Sequence, residues 1–126
     1  QGLYEYNLWD STVVAFTGDH GFHLGEQGCW AKFTNFEVGT RVPLIIRVPG
    51  LNEGKKSDVL VEQLDIFPTL IEASGVGFIA ESNITHQLEG KSLFKIMENP
   101  DEWQDYYAYS QYPRGGQSPD FDVMGI

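Results

Sequence analysis

Asp19 and His20 stand side by side, and Lys32 follows twelve positions after the histidine. A carboxylate oxygen and an imidazole nitrogen from adjacent residues make half of a metal site. A lysine ammonium close by adds a compact positive charge suited to an anion. Between them lie a second histidine, His23, a carboxylate, Glu26, and the single cysteine, Cys29. Taken singly these residues are ordinary. An aspartate after a strand forms turns or caps helices, and a lone lysine is a solvated charge. Phe16-Thr17-Gly18-Asp19-His20-Gly21, Leu24-Gly25-Glu26 and Trp30-Ala31-Lys32 together specify more residue types than a loop needs for structure. Arg114, much later, carries a guanidinium that either grips a substrate carboxylate bidentately or makes a structural ion pair.

The elements that must position these groups can be read from patterning. Thr12-Val13-Val14-Ala15-Phe16 is a continuous apolar run and predicts a strand buried on both faces, as in a parallel sheet. Ligands of open α/β sheets sit beyond the carboxyl ends of such strands, where Asp19 and His20 fall. Gly18 to Thr40 reads as a long loop, and its aromatics argue against disorder. Phe22 and Phe33 either pack beneath that loop or form a wall of a sugar pocket. His23 reads as structural, and Glu26 as a hydrogen-bonding partner within the loop.

Arg41 to Val48 predicts a second strand, with Pro43 near its start where a missing N–H does least harm. Val59-Leu60-Val61 is either a short strand or the approach to a helix. Leu64, Phe67, Leu70 and Ile71 fit one helical face, with Asp65 as cap, Pro68 in the first turn and Gly75 as the stop. That helix is expected to pack on the sheet as core. Lys91 to Asn99 predicts a short helix burying Leu93, Phe94, Ile96 and Met97. Tyr106 to Tyr112 predicts a strand, and Asp122 to Ile126 the start of another. Gln1 to Asp10 suits the tail of a helix. The expected class is α/β, a mostly parallel sheet with flanking helices.

Charge excludes some functions. Eighteen Asp and Glu stand against eight Lys and Arg, formally −10. Nucleic acid and anionic membranes call for clustered positive charge, so neither is an expected partner. No stretch approaches the roughly 20 apolar residues of a membrane span. Asn83-Ile84-Thr85 is an N-glycosylation acceptor pattern, placed in a Gly75 to Glu89 surface loop. One cysteine makes no internal disulfide.

The run Phe-Thr-x-Asp-His-Gly-x-x-Leu-Gly-Glu-x-x-x-Trp-x-Lys resembles the second metal-ligand motif of the sulfatases, members of the alkaline-phosphatase-like superfamily. The likeness continues through Asn35-Phe36-Glu37, Arg41-Val42-Pro43-Leu44-Ile45-Ile46, Val48-Pro49-Gly50 and Asp65-Ile66-Phe67-Pro68-Thr69-Leu70. Ala108-Tyr109-Ser110-Gln111-Tyr112-Pro113-Arg114 and Val123-Met124-Gly125 are most similar to members that remove the 2-sulfate of iduronate in heparan and dermatan sulfate. The resemblance implies that Asp19 and His20 ligate a catalytic calcium ion and that Lys32 contacts the sulfate. It implies Phe22, Phe33 and Arg114 as substrate-binding candidates, a sulfated glycosaminoglycan as substrate, and a lysosomal or secretory location.

The family's nucleophile is a formylglycine made from the cysteine of a Cys-x-Pro/Ser-x-Arg motif. Cys29-Trp30-Ala31-Lys32 does not match it, and no adjacent Asp-Asp pair is present. The 126 residues are therefore expected to be a piece truncated at both ends, with 1–100 the later part of the catalytic domain and 101–126 the start of a C-terminal subdomain. The remainder of the same polypeptide would supply the formylglycine. Two other readings stay open. One is a different sulfatase or a superfamily phosphodiesterase, and the other is a non-catalytic fragment.

Overall fold

The computed structural model describes residues 1–51, 54–76, 88–101 and 107–112. Asn83, Arg114 and the expected strand at 122–126 lie outside the described residues. Two compact units are defined, Gln1–Ala15 with Ile46–Ala108, and Phe16–Ile45 with Tyr109–Ile126. β1 (Val14–Thr17) pairs with β4 (Leu44–Arg47) in a two-stranded sheet, and β2 (His23–Leu24) pairs with β3 (Trp30–Ala31) in another.

Both long strands are shorter than their apolar runs. β1 is not buried on both faces, since only Val14 is half-buried and Phe16 is 59% exposed. Burying both faces of a strand takes layers on each side, and a two-stranded pair does not provide them.

In the first unit, α1 (Gly2–Glu5) is a single turn, followed by a 3-10 turn at Trp9–Ser11. Tyr4 stacks on Trp9 with ring centroids 4.6 Å apart, and the Arg47 guanidinium lies 4.0 Å from the Trp9 ring centroid. Arg47 also donates to the carbonyls of Trp9 at 2.7 Å and Thr12 at 3.3 Å. One half-buried cation thus ties the N-terminal segment to β4. A cation over an indole is worth about 0.5–2 kcal/mol.

The unit's core holds Val48, Leu93 and Ile96 together with two buried polar residues, Asp65 and Thr69. α3 (Ile66–Ala73) follows a 3-10 turn at Gln63–Asp65 and packs on α4 (Phe94–Glu98). Pro68 sits in the first turn of α3, where its missing N–H costs nothing. Gly75, at φ +71°, ends the helix in the left-handed conformation that a side chain disfavours.

Two expectations about α3 fail. Leu64 and Phe67 are 54% and 57% exposed, so the apolar stripe is not core. Asp65 makes no side-chain cap at the start of α3 itself and caps one turn earlier, in a capping box with Glu62 around the 3-10 turn. Its Oδ2 instead accepts the Glu62 N–H at 2.9 Å and its Oδ1 the Lys91 N–H at 2.7 Å. Thr69 is the pivot between the helices. Its hydroxyl donates to the Asp65 carbonyl at 2.5 Å and accepts the Leu93 N–H at 2.8 Å. Of the four residues expected to be buried by the second helix, Leu93 and Ile96 are, while Phe94 and Met97 are half-buried. Residues 107–112, the described part of the expected 106–112 strand, do not form a strand, and Tyr107 and Tyr109 are 66% and 70% exposed.

The second unit does not hold one long loop between residues 18 and 40. β2 and β3 form an antiparallel hairpin in which His23 faces Ala31 and Leu24 faces Trp30. Gly25, at φ +119°, turns the chain out of β2, and its N–H reaches the Cys29 carbonyl at 3.1 Å. α2 (Glu37–Thr40) is one turn, with an exposed Arg41–Glu37 ion pair at 3.2 Å.

Candidate active site

Asp19 follows the end of β1 by two residues, beyond the strand's carboxyl end as expected. Its Oδ1 accepts the His20 backbone N–H at 3.0 Å, which folds the carboxylate back over the imidazole. His20 Nε2 then lies 3.3 Å from Asp19 Oδ2, with the two side chains 32% and 88% exposed. His20 Nδ1 is 2.7 Å from the Gly21 carbonyl. A carbonyl only accepts, so Nδ1 carries a proton, and Nε2 faces the carboxylate either protonated, as an ion pair, or with its lone pair. Two acceptors facing each other repel unless a proton or cation lies between them. A backbone carbonyl fixing the tautomer from behind is the usual support of a metal-binding histidine.

This pair fits a divalent cation as two donors, one hard oxygen and one nitrogen. Calcium takes six to eight oxygen ligands, so Asp19 is the natural ligand and His20 the unusual one. Among the described residues, no cluster of three or more His, Cys, Asp or Glu side chains is gathered for a metal. Lys32 is exposed and follows β3 directly. Ala31 before it adopts φ +69°, a left-handed conformation costing a non-glycine residue about 1–2 kcal/mol.

Phe22 and Phe33 are 53% and 57% exposed, so neither packs beneath the loop. Phe33 instead meets Tyr112 with centroids 5.7 Å apart at 34°. His23 is structural, being fully buried. Its Nδ1 is 3.3 Å from the Glu26 carbonyl and its Nε2 2.7 Å from Thr34 Oγ1. Glu26 hydrogen-bonds within the loop, its Oε2 accepting the Leu24 N–H at 2.7 Å. That bond and a second to its own N–H hold the Glu26 carboxyl below its ordinary value of 4.5.

Sequence reasoning missed Thr34, Gly21 and Gly39. The Gly21 N–H donates to the Gly39 carbonyl at 3.0 Å, and a Cβ on Gly39 would lie 3.1 Å from Thr34 Oγ1 and 3.4 Å from the Lys32 carbonyl. These three residues tie the Asp19-His20 turn and the Lys32 turn to buried Gly39. Only the glycines signalled it, as positions where backbones approach closely.

The chain belongs to the sulfatase family, whose model, described as Sulfatase, matches residues 1–76. Human iduronate 2-sulfatase is 34% identical over 95% of this chain and 29% of its own length. A sulfatase of Formosa agariphila is 37% identical over 89% of the chain and 21% of its own length. Choline-sulfatase of Rhizobium meliloti is 42% identical over 83% and 20%. The chain thus spans less than a third of these relatives.

Among solved structures, a phosphonate monoester hydrolase from Silicibacter pomeroyi matches with TM-score 0.71 and 29% identity, covering 89% of this chain and 21% of that one. A protein solved with its substrate D-glucosamine-2-N,6-O-disulfate matches with TM-score 0.69 and 28% identity, covering 90% and 22%. The fold is α/β, a part of the alkaline-phosphatase-like architecture.

Proposed function

We propose that these residues supply the Asp-His half of a sulfate-ester-cleaving centre, in a polypeptide that removes the 2-sulfate of iduronate from glycosaminoglycans. The observation that carries this reading is the pairing of His20 Nε2 with Asp19 Oδ2 at 3.3 Å just beyond the strand end, with Nδ1 turned to the Gly21 carbonyl. Asp19 and His20 would hold a calcium ion, and Lys32 would meet a non-bridging sulfate oxygen. When bound, the cation acts as Lewis acid and template, stabilising developing charge by several kcal/mol. Remaining ligands and the formylglycine nucleophile would come from elsewhere in the polypeptide.

Exposed Phe22 and Phe33 offer faces to a sugar ring, and Arg114 is the candidate for the uronate carboxylate. A net charge of −10 does not oppose this, because a cation and a lysine dominate the field within a screening length of about 10 Å. Among the described residues no helix is long and apolar enough to cross a membrane. A lysosomal or secretory location, with Asn83 glycosylated, belongs to the same proposal.

The test is sulfate release from a 2-sulfated iduronide by the polypeptide carrying this chain. Asp19→Ala and removal of calcium by a chelator should each lower the rate about 100-fold or more. Undiminished rates would refute the assignment. The likeness to a phosphonate monoester hydrolase favours a second reading, an ester of phosphorus. Faster turnover of an aryl phosphonate than of any sulfate ester would establish that one instead.

A further inference from the structure

We infer that His23 is a positioning residue for Lys32. The backbone and the side chain of His23 grip the chain on either side of the lysine. Across the hairpin, His23 stands in register with Ala31, immediately before Lys32. Its side chain reaches Thr34, two residues after Lys32, with Nε2 2.7 Å from Oγ1. The hydrogen-bond chain has one consistent direction. His23 Nδ1–H donates to the Glu26 carbonyl, Thr34 Oγ1–H donates to Nε2, and Thr34 Oγ1 accepts the Phe36 N–H at 3.3 Å. The Thr34 N–H closes the turn on the Lys32 carbonyl at 2.9 Å.

Such a clamp is needed because the turn is strained. Ala31 is left-handed at φ +69°, and Lys32 itself is exposed. Little but its backbone directs a four-carbon stem. The rest of the support is equally tight. A Cβ on Gly39 would crowd Thr34 Oγ1 at 3.1 Å, the Phe36 ring meets the His23 ring edge-on at 6.0 Å, and the Gly39 carbonyl also accepts the Gly21 N–H beside His20. His23 therefore sets where the ammonium stands relative to the Asp19-His20 pair, without touching substrate.

The inference rests on the proposed contact of Lys32 with the anion, and a double-mutant cycle separates the two. In the polypeptide carrying this chain, H23A should lower kcat/KM for a sulfate ester about tenfold or more, since misplacements near 1 Å cost up to about 100-fold. In the Lys32→Ala background the same change should cost less than about threefold. H23Q places an acceptor where Nε2 was and should recover most activity, whereas H23N, which reaches only the Glu26 carbonyl, should not. Equal losses from H23A in both backgrounds, or equal behaviour of H23Q and H23N, overturn the positioning role. An unchanged rate for Lys32→Ala alone would instead overturn the anion contact. Should H23A fail to fold, Thr34→Val breaks the same bond from the other side, and its loss must likewise vanish in the Lys32→Ala background.

Discussion

Gly21 donates its N–H to the Gly39 carbonyl, and a Cβ on it would overlap the backbone carbonyl of Val38. The constraint is space, because Gly21 is not among the positive-φ glycines. The obstacle is backbone, which does not swing aside as a side chain would. Gly21→Ala is expected to destabilise by about 2 kcal/mol or more, read by denaturant unfolding. The same change should displace His20, whose Nδ1 rests on the Gly21 carbonyl.

Thr69 is fully buried, and its hydroxyl serves both α3 and the chain before α4. Thr69→Val keeps the shape and removes the hydroxyl, leaving the Leu93 N–H without its acceptor. An orphaned buried donor costs about 1–3 kcal/mol. The midpoint of chemical unfolding should fall accordingly, with little change in slope.

Acid should loosen the β2–β3 hairpin through Glu26. Its carboxyl is held below 4.5 chiefly by the Leu24 N–H, so the folded form binds its proton less readily than the unfolded chain does. Its stabilising contribution is present above the ordinary carboxylate value and is lost as pH falls through the depressed one. Amide exchange at Leu24 should speed up across that acidic window, after correction for intrinsic rates. In Glu26→Gln this acid-dependent step should disappear.

The site motif and the punctuation of the chain were legible in sequence. Asp19-His20 lies just beyond a β-branched strand, Gly75 ends a helix, and Leu93 with Ile96 sits in the core, each by local rules of propensity and period. Burial was not legible where it depends on partners. Phe16, Leu64 and Phe67 are apolar and periodic, yet exposed, because patterning shows which face seeks a partner and not whether one is present. The hairpin inside residues 18–40 was missed because two-residue strands carry no period to detect.

Residue types and spacing alone therefore determined the groups on offer, an acid, an imidazole and an ammonium within the segment that the sulfatase family model matches. Tertiary structure alone decided how those groups are held. The His20 tautomer depends on which carbonyl its ring meets, and the Lys32 turn on a part-buried His23–Thr34 bond spanning eleven residues. Such contacts join positions distant along the chain, and no local pattern encodes a distance that only folding closes.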